Sequence, residues 1–437
     1  MGLGDYRPIS LIGSFYKIIA KVLANRLKKV MPKLVGSEQS AFSKGRIILD
    51  SILIANEVID NLKARKHKSL VFKADFEKAF DSVNRIYLLG ILRLMGFGER
   101  WIAWIDTCIS SASVSILVNG SPTNEFMLSR GVRQGDPLSP YLFILATEGL
   151  SLLLKSAIEK NLFKGVKVGG DDVVVSHLQY ADDTILFGDW SRRNLLNLMK
   201  ILQCFEKISG LKVNFGKSCL FGVGVALTSI QDLASQVGCS AVSRCTLSPY
   251  SVLRRVSSTC WKVYAVSFFL GGSDENSKLL WVKWETILSS YEKGGFNIGS
   301  LKAKNLALLG KWWWRFRVEE NAFWVKVIKS IYGRDGGLGF TSSRVDAGNN
   351  SVWGAIIDVE KHFTKLNINF AASFVRIIEN GQGTYFWKDR WHGSELLCEK
   401  YPRLFRLDTN QDATVADRLW LAGSERKLIE SWSREPT

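Results

Sequence analysis

Two adjacent carboxylates, Asp182 and Asp183, stand between two apolar, β-branched-rich runs, Val173–Leu178 and Thr184–Phe187. The spacing predicts a β-hairpin with residues 179–183 at its turn. Paired aspartates at a turn are commonly there for turn chemistry alone. Here the flanking runs put them at the tip of a hairpin with a buried body, where two like charges are unfavourable unless a cation compensates them. Asp75 closes another short apolar run, Leu70–Asp75, and is the candidate to complete the group. Three carboxylates meeting at strand ends could hold two Mg²⁺ ions and stabilise the attacking and leaving oxygens of an in-line phosphoryl transfer. Magnesium suits such a set because it takes hard oxygen ligands and shares its shell with substrate phosphates.

Helices must back these strands. Proline at a first turn and the apolar run Tyr141–Leu154 predict a helix from Pro137 or Leu138 to Glu159. A second is expected over Arg193–Ser209, ended by Gly210. Near the start, Phe15, Ile18, Ile19, Val22, Leu23, Leu27 and Val30 recur at helical spacing, with Lys17, Lys21, Arg26, Lys28 and Lys29 between them. That pattern predicts an apolar stripe in the core and a basic face outside. Of the other acids, Asp81 reads as a helix-start or structural acid and Asp136, before Pro137, as a cap for the following helix. Asp171-Asp172 reads as a solvated turn.

The rest of the composition narrows the class. The chain has 437 residues, 46% hydrophobic and 23% charged, which excludes a disordered or collagen-like polymer. Lys plus Arg number 58 against 41 acids, a net charge of +17, and this points to a polyanionic partner such as nucleic acid. The first 70 residues hold 13 Lys/Arg and 5 Asp/Glu and so carry nearly half the surplus. No run reaches the roughly 18 apolar residues of a spanning helix, and the start lacks a secretory pattern. Seven cysteines without Cys-x-x-Cys spacing and four scattered histidines suit neither a disulfide framework nor a zinc site. An intracellular protein, nuclear or cytoplasmic, is the expectation.

Longer motifs carry a resemblance. Tyr180-Ala181-Asp182-Asp183, the box Lys73–Asp81, the box Gly131–Pro140, the upstream stretches Tyr6–Leu11 and Glu38–Phe42 with Gly45-Arg46, and the downstream box Gly210–Ser218 occur in that family's order. Together they resemble the reverse transcriptase of non-LTR (LINE-type) retrotransposons, particularly the plant branch. The resemblance implies an α+β fold, a right-hand polymerase palm and fingers with an antiparallel catalytic sheet, followed by a mostly helical C-terminal region. It implies partial fingers over residues 1–70, a palm over 71–225, a disrupted thumb or linker over 226–275, a Trp-rich helical region over 276–335 and a further C-terminal region over 351–437. Asp75, Asp182 and Asp183 would be the catalytic metal ligands for two Mg²⁺ ions, with Mn²⁺ as the alternative. Phe80 would exclude a 2′-hydroxyl, Arg46 with Lys44 would grip the triphosphate, and Gln134 with Gly135 would line the nucleotide pocket. Lys217 is either a general acid for the leaving pyrophosphate or a surface lysine before a strand. The implied partners are an RNA template, a DNA primer and deoxynucleoside triphosphates, with no membrane; oligomeric state stays open.

Twelve of the fifteen tryptophans lie after residue 260. Beside Lys and Arg they could stack bases, but the core of small helical units is the preferred reading. A linker is expected over residues 332–350. Against the family pattern, the chain starts inside the fingers without the usual endonuclease, and it lacks the Cys/His knuckle of many relatives. An unrelated-looking passage also interrupts it at about 239–268, which would weaken the grip on a duplex. The expected function is therefore RNA-directed DNA polymerisation by two-metal nucleotidyl transfer, weak or inactive where the thumb is disrupted. The alternative is a catalytically inert nucleic-acid-binding retroelement remnant.

Overall fold

The run Ser69–Ala74 has no polar–apolar alternation to spare a solvent face, and it becomes β1, the central strand of a five-stranded sheet. This computed structural model describes residues 10–242 except 112, 171 and 172, then 284–297, 301–338 and, with several short gaps, 351–428. Tyr6–Ile9, the Asp171-Asp172 turn, the passage from 243 to 283 and most of the 332–350 linker lie outside the described residues. The chain divides into two compact units, residues 1–253 with 321–331 and residues 254–320 with 332–437.

In the first unit, helices α1 (Ser14–Leu34) and α2 (Ile48–Ala64) precede β1, and α3 (Ala79–Ser82), α4 (Arg85–Leu94) and α5 (Glu99–Ser110) follow it. Four two-residue strands, β2 (Ser113–Val114), β3 (Leu117–Val118), β4 (Ser121–Pro122) and β5 (Phe126–Met127), lead to α6 (Ser139–Glu159). Next come β6 (Val166–Val168), β7 (Val173–Val175), β8 (His177–Tyr180), β9 (Asp183–Asp189) and α7 (Arg192–Ser209). The unit continues with β10 (Cys219–Val223), α8 (Leu227–Val237) and β11 (Ser240–Val242). The sheet order is β11-β10-β1-β9-β8, antiparallel throughout except for the β10–β11 pair. Residues 227–242, read from sequence as the start of a disrupted thumb, thus supply a helix and an edge strand of this sheet.

One face of the sheet carries Leu70, Phe72, Ala74, Leu186 and Leu220 into a core shared with α4, α6 and α7. α6 packs against α1, α4 and α7. It is long and apolar enough to cross a membrane, but 67% of that stretch is buried inside the fold, so it is a core helix. The α7 boundaries follow from its caps: Ser191 Oγ accepts the Asn194 N–H at 3.0 Å, and Gly210 closes the helix at φ +78°.

Two expectations need correction. The run Val173–Leu178 is not one hairpin arm: Val173–Val175 pairs with β6 in a separate ribbon, and only His177–Tyr180 pairs with β9. In α1 the predicted stripe is split. Leu23 and Leu27 are buried together with Ala20, Ala24 and Met31, whereas Phe15 (87% exposed), Ile18, Ile19, Val22 and Val30 face outward. The small side chains of Ala20 and Ala24 allow close helix packing, and this rotates the larger apolar residues away from the core.

The second unit is held by its tryptophans. Trp313, on the helix Leu301–Val318, donates its indole N–H to Ile356 O at 2.9 Å, and Trp353 donates to Gly336 O at 2.7 Å. Phe386, Trp387 and Leu397 form a further cluster. Trp314 is the outward ring of the Trp312–Trp314 run. Core packing is thus the role of Trp313, Trp353 and Trp387.

Candidate active site

The β1–β9 ladder ends on the pair Ala74–Thr184, so one further step in register sets Asp75 opposite Asp183. Directly opposed residues on antiparallel strands share a face, and Lys73 lies two residues back on that same face. Tyr180 pairs with Asp183, which leaves Ala181 and Asp182 as the two central residues of the hairpin turn. Ala181 takes φ +55°, left-handed backbone that alanine rarely adopts. Behind Asp75, the Asn214 N–H donates to Asp75 O at 2.7 Å, and Asp75 N donates to Ser218 Oγ at 3.1 Å. The turn before β10 therefore fixes the Asp75 backbone from the other side.

Among the described residues, Asp75 and Asp182 have no side-chain partner, while Asp183, 67% exposed, lies 3.7 Å from Lys73 Nζ. The three aspartates are neighbours in register, yet among the described residues no three His, Cys, Asp or Glu side chains converge as a metal cluster. The expected convergence is thus incomplete: Asp183 turns to the Lys73 ammonium, which offsets its charge as another carboxylate would not. The donor set itself, hard oxygens at neighbouring strand ends, fits Mg²⁺.

Beside the turn is an open pocket of about 200 Å³, lined by Phe80, Arg133, Gln134, Gly135, Ser139, Pro140 and Asp182. It brings together Phe80, Gln134, Gly135 and Asp182, four residues singled out from the sequence. The Phe80 ring is stacked on Phe143 with centroids 4.6 Å apart, which sets the wall of the pocket. α3 and the residue that follows it dock on the loop before α6: Val132 N donates to Phe80 O and Gly131 N to Val83 O, each at 2.8 Å. Gly131 has φ +82°, and a Cβ there would meet Asp81 O at 2.6 Å. Gly131→Ala is therefore expected to lower stability by about 1–3 kcal/mol, read as a fall in the urea unfolding midpoint.

Arg133 was not singled out from the sequence, although it lay inside the Gly131–Pro140 box. Its guanidinium sits 4.1 Å from the Tyr16 ring centroid and donates to Cys108 O at 2.7 Å. Asp136 is buried; it accepts from Leu138 N at 2.8 Å and from Tyr16 Oη at 2.6 Å. It does not cap α6 as expected, because the helix N-cap is Leu138 and carries no side-chain cap bond; Asp136 instead holds the turn before the helix and the Tyr16 hydroxyl. Burial and the Asp136 bond push the Tyr16 hydroxyl pKa up.

The remaining candidates lie apart from the pocket lining. Lys217 is exposed in the Asn214–Ser218 turn, and Lys44 is exposed on the loop after Phe42. Arg46 is half-buried and donates to the carbonyls of Val35, Gly36 and Gln39, the last at 2.8 Å. In this arrangement its guanidinium fastens the loop it follows.

Beneath that loop is a partly buried group of ionisable residues. Lys155 Nζ lies 3.1 Å from Glu38, and fully buried His177 bonds Ser151 Oγ at 3.0 Å. Burial pushes the Glu148 carboxyl up to about 7 and the His177 imidazole down to about 4. The two act oppositely on stability. A raised Glu148 pKa gives stability that is present below its usual 4.5 and lost as pH rises to about 7; a depressed His177 pKa gives stability present above 6.5 and lost as pH falls towards 4. Glu148→Gln removes only the first. The stability of the variant relative to the parent should therefore rise with pH across this window, by about 1.4 kcal/mol per unit at most. Parallel denaturation midpoints at all pH values would exclude this.

The family model for reverse transcriptase (RNA-dependent DNA polymerase) matches residues 2–242, more than half of the chain and the whole of the sheet just described. The chain belongs to the reverse transcriptase family. It is 34% identical over 218 residues to the "Transposon TX1 uncharacterized 149 kDa protein" of Xenopus laevis, covering 49% of this chain and 16% of that one. It is 29% identical over 223 residues to the "Retrovirus-related Pol polyprotein from type-2 retrotransposable element R2DM" of Drosophila melanogaster, covering 50% and 20%. This reverse transcriptase chain thus spans a fifth or less of the length of those two relatives. A solved telomerase from Candida albicans aligns at 14% identity and a TM-score of 0.35, over 46% of this chain and 35% of that one. The α+β class expected from the motifs is what residues 69–242 form, helices packed on a mixed five-stranded sheet.

Proposed function

We propose that this chain extends a DNA primer on an RNA template, as the polymerase segment of a non-LTR retroelement working inside the cell. The observation that carries this reading is the shared placement of Asp75 and Asp183 at adjoining strand ends, with Asp182 lining the pocket that Phe80, Gln134 and Gly135 also line.

In this mechanism Asp75, Asp182 and Asp183 would hold two Mg²⁺ ions, which when bound would supply positive charge at the oxygens of nucleotidyl transfer. Phe80 bounds the sugar position, with Phe143 behind it to keep the ring from yielding. Gln134 and Gly135 shape the adjoining wall; Gly135 at φ +94° brings backbone rather than side chain to the pocket. Lys217, exposed on the turn that fixes the Asp75 backbone, would be the proton donor to the leaving pyrophosphate. Lys44 meets the triphosphate from the basic N-terminal segment, and Arg46 acts there through the loop it fastens.

Primer extension on an RNA template with Mg²⁺ and all four deoxynucleoside triphosphates tests the reading. Template-directed products are expected. Salt-sensitive binding of the RNA–DNA duplex without any incorporation would instead assign the chain to inert nucleic-acid binding.

A further inference from the structure

The Ala181 N–H lies outside the β8–β9 ladder, and among the described residues no backbone carbonyl accepts it. Its acceptor is Gln39 Oε1, at 3.1 Å, a side chain only 1% exposed and 142 residues away in sequence. We infer that Gln39 is a positioning residue for the Asp182–Asp183 turn: its carboxamide oxygen holds Ala181 and so fixes where the two aspartates project.

The surrounding structure places that oxygen firmly. Residues 38–40 run alongside β8 as a short parallel bridge, with Gln39 opposite Gln179. Gln179 N donates to Glu38 O at 2.9 Å, and Ser40 N donates to Gln179 O at 3.0 Å. Gln39 Oε1 also accepts the Ala41 N–H at 3.0 Å, so the carboxamide cannot turn without losing two bonds. Arg46 ties the same loop through the carbonyls of Val35, Gly36 and Gln39. A left-handed alanine persists only where its surroundings over-determine it, and Gln39 supplies that constraint from a different element. The competing role for Gln39 is local, closing its own turn onto Ala41, in which case Ala181 would be indifferent to its loss.

The consequence for catalysis rests on the polymerase reading; the consequence for the turn does not. Gln39→Met keeps the length of the side chain and removes the acceptor. It leaves the Ala41 and Ala181 N–H groups without that acceptor, so overall stability should fall, offset in part by removal of Gln39 Nε2, a buried amide nitrogen with no partner among the described residues. Gln39→Glu keeps an acceptor. Hydrogen exchange of the Ala181 amide, resolved by fragmentation mass spectrometry, and single-nucleotide incorporation are measured on the full chain.

For Gln39→Met, Ala181 exchange is expected to quicken by roughly 10²-fold while the His177–Tyr180 ladder amides keep their rates. kcat is expected to fall by about 10-fold or more, with the KM for deoxynucleotide within about twofold. Gln39→Glu is expected to stay near the parent in both. Unchanged Ala181 exchange in Gln39→Met overturns the inference, as does faster exchange with undiminished kcat. Should Gln39→Met fail to fold, fast Ala181 exchange in folded Gln39→Glu overturns it equally. If the parent chain incorporates no nucleotide, the polymerase reading fails by itself, and the exchange measurement still decides the role of Gln39.

Discussion

Asp182→Asn is expected to lower RNA-templated incorporation by about 10³-fold or more while the protein stays folded. Asp182 sits at the second central position of a two-residue turn and has no side-chain partner among the described residues, so the isosteric amide removes charge without removing a contact. Asparagine is also at home in such turns, and stability should stay within about 0.5 kcal/mol of the parent. On the two-metal proposal, loss of this carboxylate would act on the reacting oxygens through the cation it would hold. Asp75→Asn should behave alike, since its backbone bonds to Asn214 and Ser218 survive the change. Incorporation within tenfold of the parent in both variants would remove the acidic group from the mechanism.

The second large effect is expected at Phe80. Phe80→Val should reduce discrimination against ribonucleotides by about 10²-fold, measured as the ratio of kcat/KM for matched deoxy- and ribonucleoside triphosphates. The ring lines the pocket that holds Asp182 and is braced by Phe143 at 4.6 Å, so it presents a fixed edge where a sugar would lie. Shortening it opens room for a hydroxyl. Because Phe80 is only partly buried, the lost packing should cost about 1–2 kcal/mol, well short of unfolding. An unchanged ratio would move the sugar to another part of the pocket.

Much of this site is legible in the sequence because its parts are local. A strand ending near Asp75, a turn within residues 179–183 and helices bounded by Gly210 and by the Pro137 region each declare themselves within a few residues. What the sequence hides is pairing between distant segments. Nothing in Val173–Leu178 says that its first half joins β6 and its second half β9, since a continuous apolar run reads the same in either sheet. The outward face of α1 was hidden for a related reason. Spacing marks which residues align along a helix, and it does not say that small Ala20 and Ala24 will win the core contact over Phe15 and Ile18. Gln39 and Arg133 stood inside recognised motifs, but their roles depend on partners 142 and 117 positions away.

Lys73 gives the acidic site one more property. Its ammonium, 3.7 Å from Asp183, offsets one of the three carboxylate charges and leaves the other two uncompensated. A phosphate backbone arriving within about 8–10 Å, the range over which salt leaves charges unscreened, then meets less repulsion than three bare carboxylates would give, although the site stays anionic. On the two-metal proposal the same lysine would release Asp183 to the ions, exchanging an internal counter-ion for external ones.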